Sequence, residues 1–187
     1  MPAPEVHLMR HVARSRFNDF ALRSSRRVVR ARYEEFIDGI TETICAAWRQ
    51  WQSQAVLSGV VVQGTIASGG KVLGPAWEPL ILARAPAGSA WARRRSAAVA
   101  RTLGEAWMTY VSTIRVPALA PAPAPDAATP LKSLFQVTTG LDKMSLLSRM
   151  VSGLGTRPQG LDVEMFECLL EAFLVSFRRW RRTATLR

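Results

Sequence analysis

Two histidines, two cysteines and one glycine-rich run are the residues of this chain whose types and spacing invite a chemical reading. His7 and His11 stand four apart, so a helix would present both imidazoles on one face. A zinc ion asks for four ligands, and Glu5 is the one acid close by, so the pair predicts no metal site. The run Gly64-Thr-Ile-Ala-Ser-Gly69-Gly70-Lys71 ends on the Gly-Lys pair of a phosphate-binding loop. Its first glycine should then stand at 65, where there is Thr65, and the magnesium-binding hydroxyl should follow the lysine, where there is Val72. A glycine-punctuated hairpin is the better reading. Nucleophilic catalysis needs a base beside the nucleophile. Both histidines lie near the start of the chain, and Glu34, Glu35, Asp38 and Glu42 read as a solvated, charge-paired face. Cys45 and Cys168 sit in apolar stretches beside Ile44 and Leu169 without a Cys-x-x-Cys pair, which fits buried free thiols in a reducing compartment. The expectation is a protein without catalytic residues, metal or cofactor, and not an enzyme.

Charge is the strongest compositional signal. The 187 residues carry a formal net charge of +11, built from 22 arginines and only 3 lysines. Eight arginines fall in residues 10–32, five in residues 84–101 and five in residues 178–187, the last two groups without an acid among them. A high-GC codon bias would produce the same excess. Read functionally, such clusters attract phosphate, acidic protein or anionic lipid. The expected basic patch comprises Arg23, Arg26, Arg27, Arg30, Arg93, Arg94, Arg95, Arg178, Arg179, Arg181 and Arg182. No helix-turn-helix, zinc-finger or aromatic RNA-binding pattern accompanies it, so any nucleic-acid contact would be non-specific.

These residues must be held by elements that periodicity predicts. Residues 1–16 read as a flexible basic arm, since Pro2 and Pro4 discourage a helix at the start. A long helix is predicted over 17–56, in one or two pieces, from the stripe Val29, Tyr33, Phe36, Ile37, Ile40, Ile44, Trp48, Trp51, Ala55. Residues 56–74 are β-branched and glycine-punctuated, which predicts a hairpin turning near 68–70. Pro75, Pro79 and Pro86 predict irregular chain over 75–88. Ser89 is placed to cap a second helix reaching about 114, with the stripe Val99, Leu103, Trp107, Tyr110, Ile114. Residues 117–130, in which five prolines alternate largely with alanine, read as a semi-rigid linker or strap. Two further helices are predicted: 141–154, with Met144, Leu147, Met150, Val151 and Leu154 inward, and 162–182, with Phe166, Leu170, Phe173, Phe177 and Trp180 inward. Acids open the last helix and arginines close it, as the helix dipole favours. The organisation is then an arm at 1–16, a helix–hairpin–helix unit at 17–116, a linker at 117–130, and a C-terminal helical pair at 131–187 that packs on the first unit. The longest apolar run, 55–67, is too short and too broken to span a membrane.

Several segments resemble a group of small bacterial proteins associated with phage-tail-like contractile injection systems. The resemblance rests on Trp48-x-x-Trp51-Gln52, on Gly74-Pro75-Ala-Trp77-Glu-Pro79-Leu80, on Ala106-Trp107 and on Pro130-Leu131, and covers residues 40–180. It implies a structural or accessory role and brings no catalytic residues. Members of that group often carry a Pro/Gly-rich tail, whereas here the last helix is followed by a basic end.

The fold expectation is a mainly α protein, a helical bundle of about four helices with a small β-hairpin insertion. The functional expectation is a structural or interaction protein, cytoplasmic or particle-associated, that forms a homo-oligomer or docks on other protein subunits. Val60, Val61, Val62, Trp77 and Trp91 are its expected contact residues: a hairpin needs a neighbouring surface, and the two tryptophans flank a Pro-bounded stretch. The alternatives are a non-specific nucleic-acid-binding protein and a membrane-surface protein using residues 6–33, where Phe17, Phe20, Val28 and Val29 neighbour arginines.

Overall fold

The computed structural model describes residues 5–21, 27–63, 66–114, 116–119, 129–130, 141–183 and 185–186. Among these the chain is mainly helical, with six helices rather than about four, and an antiparallel hairpin. In order they are α1 (Val6–Ala21), α2 (Arg27–Gln54), β1 (Val56–Gln63), β2 (Ile66–Leu73), α3 (Trp77–Leu82), α4 (Ala90–Ser112), β3 (Val116–Leu119), β4 (Thr129–Pro130), α5 (Lys143–Ser152), α6 (Asp162–Thr183) and β5 (Thr185–Leu186).

The first extra helix is α1, in the segment expected to be a flexible arm. Met9, Ala13 and Phe17 recur every four residues and are fully buried, so the helix presents an apolar stripe to α2 and α6. Arg10 and Arg14 bind Asp38, Arg10 also binds Glu42, and Arg16 binds Glu171, so three arginines of the first cluster rim this contact. The second is α3, in the stretch expected to be irregular. Pro79 occupies the first turn, where its missing N–H would have no intrahelical partner anyway.

Why the chain reaches α3 is visible in two glycines. A Cβ built on Gly74 would lie 2.4 Å from Trp51 Nε1, so only glycine lets the backbone cross the indole edge and deliver Trp77 inward. A Cβ on Gly104 would lie 3.0 Å from the Glu78 nitrogen and 3.1 Å from its Cβ, which sets the close approach of α3 to α4. The loop after α3 is pinned to both long helices: Thr43 Oγ1 donates to the Arg84 carbonyl at 3.1 Å and Ser96 Oγ to the Pro86 carbonyl at 2.8 Å. Ser89 then caps α4, accepting from the Ala92 N–H at 3.1 Å.

The core is an aromatic cluster. Trp77 stacks on Trp107 with ring centroids 4.0 Å apart and planes 15° from parallel. Trp48 lies within 5.6 Å of Trp77, Trp107, Trp180 and Phe173. Trp51 meets Trp107 edge-on at 4.9 Å, and Tyr110 meets Phe177 at 4.8 Å. The stripes of α2, α4 and α6 therefore converge as their spacing predicts, with α3 adding one ring. In α5 the phase differs. Leu146, Met150 and the following Leu154 are buried, while Met144 is exposed and Leu147 and Val151 are half-buried. The inward face follows a strict four-residue step, and Lys143 turns outward to Glu167 at 2.8 Å.

The hairpin pairs Val56 with Leu73 at its base and Gln63 with Ile66 at its far end, so the chain reverses between those two residues and not at 68–70. β3 adds to β2 and carries Pro117 at the sheet edge, where a missing donor is tolerated. β4 pairs with β5. The intervening residues of the Pro/Ala linker, 120–128, lie outside the described residues.

Two tests follow from this packing. Gly104→Ala gains up to about 1 kcal/mol of helix propensity but must displace the α3 backbone at about 1–3 kcal/mol. A net loss of about 1 kcal/mol, read as a Tm lower by about 2–4 °C, is expected from calorimetry. Separately, burial pushes the Cys45 and Cys168 thiols from 9.0 up to about 12. Burial, and then the Asp162 charge, push Tyr33 from 10.0 up to about 12. The folded chain keeps protons that the unfolded chain releases above pH 9.0, so stability is full below that value and falls as pH climbs towards 12. Urea midpoints in reducing buffer should be level to about pH 8 and lower by about pH 10, with a shallower fall in the Cys45→Ala, Cys168→Ala double variant.

Candidate functional site

Among the described residues, the hairpin leaves backbone groups that the core does not satisfy. In the sheet order β1-β2-β3, β1 is an edge, and one row of its backbone N–H and C=O groups has no strand partner among the described residues. Its sequence, VLSGVVVQ, contains no charge and no proline, the two devices that usually blunt an edge. Lys71 is the single charged residue of the two strands. Apolar side chains stand out from them: Val56 is 58% exposed, Val61 53% and Leu73 45%. Leu57 is partly exposed as well, whereas Val72 is buried.

Glycines shape this surface. Gly59, Gly69 and Gly70 have φ of 74°, 80° and 73°. A Cβ on Gly70 would stand 2.8 Å from Val60 Cγ2 and 3.4 Å from Leu57 Cδ1. Leu57 and Val60, three residues apart, thus cover the same glycine, although strict alternation would put them on opposite faces. The left-handed glycine between them breaks the period, and the far half of the hairpin is re-aimed relative to its base.

The expected contact residues fall in different places. Val60 is half-buried against the core and Val61 is exposed, while the side chain of Val62 lies outside the described residues. Trp77 is no surface anchor: it is fully buried in the aromatic cluster, carried there by α3. Trp91 is half-buried and bridges α2 and α4. It stands edge-on to Tyr33 at 5.0 Å and to Phe36 at 5.4 Å, with the guanidiniums of Arg32 and Arg95 at 4.1 and 4.2 Å from its ring centroid.

The basic patch also divides. Arg95 leaves it: the residue is 6% exposed and grips Asp162, 1% exposed, through both carboxylate oxygens, with Nε to Oδ1 at 2.8 Å. Asp162 accepts further from the Gln159 N–H at 2.9 Å, and the Tyr33 hydroxyl lies 3.0 Å from Oδ1 and 2.9 Å from the Gln159 carbonyl. This saturated network ties α2, α4 and α6 together. Arg30 binds Glu34 and Asn18. Arg93 is exposed and donates to the Ala87 carbonyl at 3.0 Å, and Arg94 is exposed. Arg178 donates to the carbonyl of Leu174, Arg179 binds Glu5 at 3.3 Å, Arg181 is half-buried and Arg182 exposed. Arg23 and Arg26 lie outside the described residues, as does the side chain of Arg27 at the start of α2. The Arg95 group sits beside the first residue of α6, whereas Arg178 lies sixteen residues further on, about 24 Å along the helix. The described arginines of the expected patch therefore stand at two ends of α6, with Arg95 withdrawn into the core.

No spacing rule could have revealed the Arg95–Asp162–Tyr33 network, whose members lie 67 and 129 residues apart. Among the described residues no three His, Cys, Asp or Glu side chains gather as metal ligands, and no helix is long and apolar enough to cross a membrane. His7 and His11 are both exposed on α1. No protein-family model, curated protein or solved structure matches the chain.

The buried pair separates structural from surface arginines. Arg95→Ala, which strands the Asp162 carboxylate, should cost about 3–5 kcal/mol in urea unfolding. Arg94→Ala should stay within about 0.5 kcal/mol of the parent.

Proposed function

We propose that this protein is a structural, non-enzymatic subunit that self-assembles or docks on a larger particle, one of the phage-tail-like kind that its sequence resembles, through the free edge of β1. One observation carries the reading: an eight-residue edge strand with no charge and no proline, beside exposed Val56, Val61 and Leu73. Such an edge offers backbone hydrogen bonds and apolar side chains together, the two components of strand addition. Net charge of +11 keeps the rest of the surface repulsive between copies, so uncharged β1 is the segment at which approach costs least.

Size-exclusion chromatography with light scattering tests this directly. The parent chain should run as an oligomer, or as a monomer that captures a particle subunit. Val61→Lys, which puts a charge on the edge, should yield a monomer without capture and with an unchanged Tm. A parent chain that stays monomeric at all concentrations and captures no subunit would refute the proposal.

A further inference from the structure

A second feature, independent of the hairpin, lies between α4 and α5. A cleft of about 210 Å³ opens there, and its polar lining is weighted towards donors. Arg101 projects from α4, is exposed, and has no acidic partner among the described residues. Arg149 comes from α5 and is held by Glu105, one turn beyond Arg101 on α4. The hydroxyls of Thr102 and Ser152 complete the lining. Thr102 is 3% exposed. The hydroxyls of Thr41, Thr43 and Thr109 bond back to carbonyls four residues earlier, but that of Thr102 has no hydrogen-bond partner among the described residues. That oxygen is not one of the side-chain atoms sealed from solvent without a partner, so it is open to the cleft it lines.

The floor is made of small residues. A Cβ built on Gly153 would lie 3.4 Å from that of Ala98 and 3.1 Å from the Arg149 carbonyl, so a larger residue there would fill the space between the helices. Two guanidiniums and two hydroxyls then face one small volume, with a single carboxylate in competition. Guanidinium forks and hydroxyls arranged in three dimensions suit a tetrahedral oxyanion, which accepts from several directions. Arg94, two helical turns before Arg101 on the same side of α4, is exposed and adds a second positive charge along the cleft's approach.

We propose that the α4–α5 cleft is a phosphate-binding site, in which Arg101, Arg149 and the Thr102 hydroxyl hold the group and Glu105 competes with it for Arg149. The phosphate has two sources, a small free phosphate or the backbone of a nucleic acid, and one set of variants distinguishes them.

The full chain is titrated with inorganic phosphate by NMR and with a labelled single-stranded oligonucleotide by anisotropy at low salt. Arg101→Ala is compared with Arg84→Ala, and Glu105→Gln with Glu35→Gln. Each pair makes the same charge change at exposed positions, in the cleft and away from it. Arg101→Ala should weaken binding about tenfold, the value of one charge-assisted contact, and Arg84→Ala less than about twofold. Glu105→Gln should tighten it, and Glu35→Gln should not. Binding of phosphate with this pattern supports a small-ligand site. Binding of the oligonucleotide alone, with the same pattern and a steep loss on adding salt, supports a backbone contact. If neither probe binds, or if Arg101→Ala is no worse than Arg84→Ala, the site does not exist as proposed. Far-UV circular dichroism of each variant confirms that the fold is retained.

Discussion

The stacking of Trp77 on Trp107, with Trp48 against both, is the contact on which the other helices depend. Each of these indoles comes from a different helix, and Phe173, Phe177 and Trp180 of α6 close the cluster. The Nε1 groups of Trp48, Trp77 and Trp107 are buried without hydrogen-bond partners among the described residues. Burying such a donor costs about 1–3 kcal/mol, so the cluster is held by apolar area and ring geometry, not by hydrogen bonding. This explains the glycines around it. Gly74 and Gly104 are sites where any side chain would hold α3, and with it Trp77, away from the core.

Around that centre the chain uses its arginines in two ways. Arg95 is buried with Asp162 and fixes the relation of α2, α4 and α6, since breaking a buried pair is far more costly than breaking one in solvent. Arg10, Arg14 and Arg16 join α1 to its neighbours at half-exposed rims, where each pair is worth little alone and the buried Met9, Ala13 and Phe17 supply the adhesion. Arg94 and Arg101 are exposed and pair with no acid among the described residues. A large net charge therefore reports less about partners than its size suggests.

The hairpin and the α4–α5 cleft share a physical logic. Both are places where polar groups lack partners among the described residues: one row of backbone groups along β1, and the exposed Arg101 guanidinium at the cleft, which meets no acid there. The first combines that with exposed apolar side chains, the second with positive charge.

Features that depend on periodicity could be read from the chain before it folded. The aromatic stripes of α2, α4 and α6 were legible because helical spacing places them on one face and they are long enough for the pattern to repeat. So were the Ser89 cap and the β-character of residues 56–73. Helix α1 had a readable signal in Met9, Ala13 and Phe17, masked by the surrounding arginines and prolines. The rest depends on contacts between distant parts of the chain. Trp77 looked like a loop anchor until α3 carried it inward, because a proline in a first turn is locally ambiguous. Arg95 looked like one of three equivalent arginines until Asp162, far along the chain, was brought beside it. The cleft between α4 and α5 likewise joins residues about fifty positions apart, a proximity that chain folding creates and local spacing does not encode.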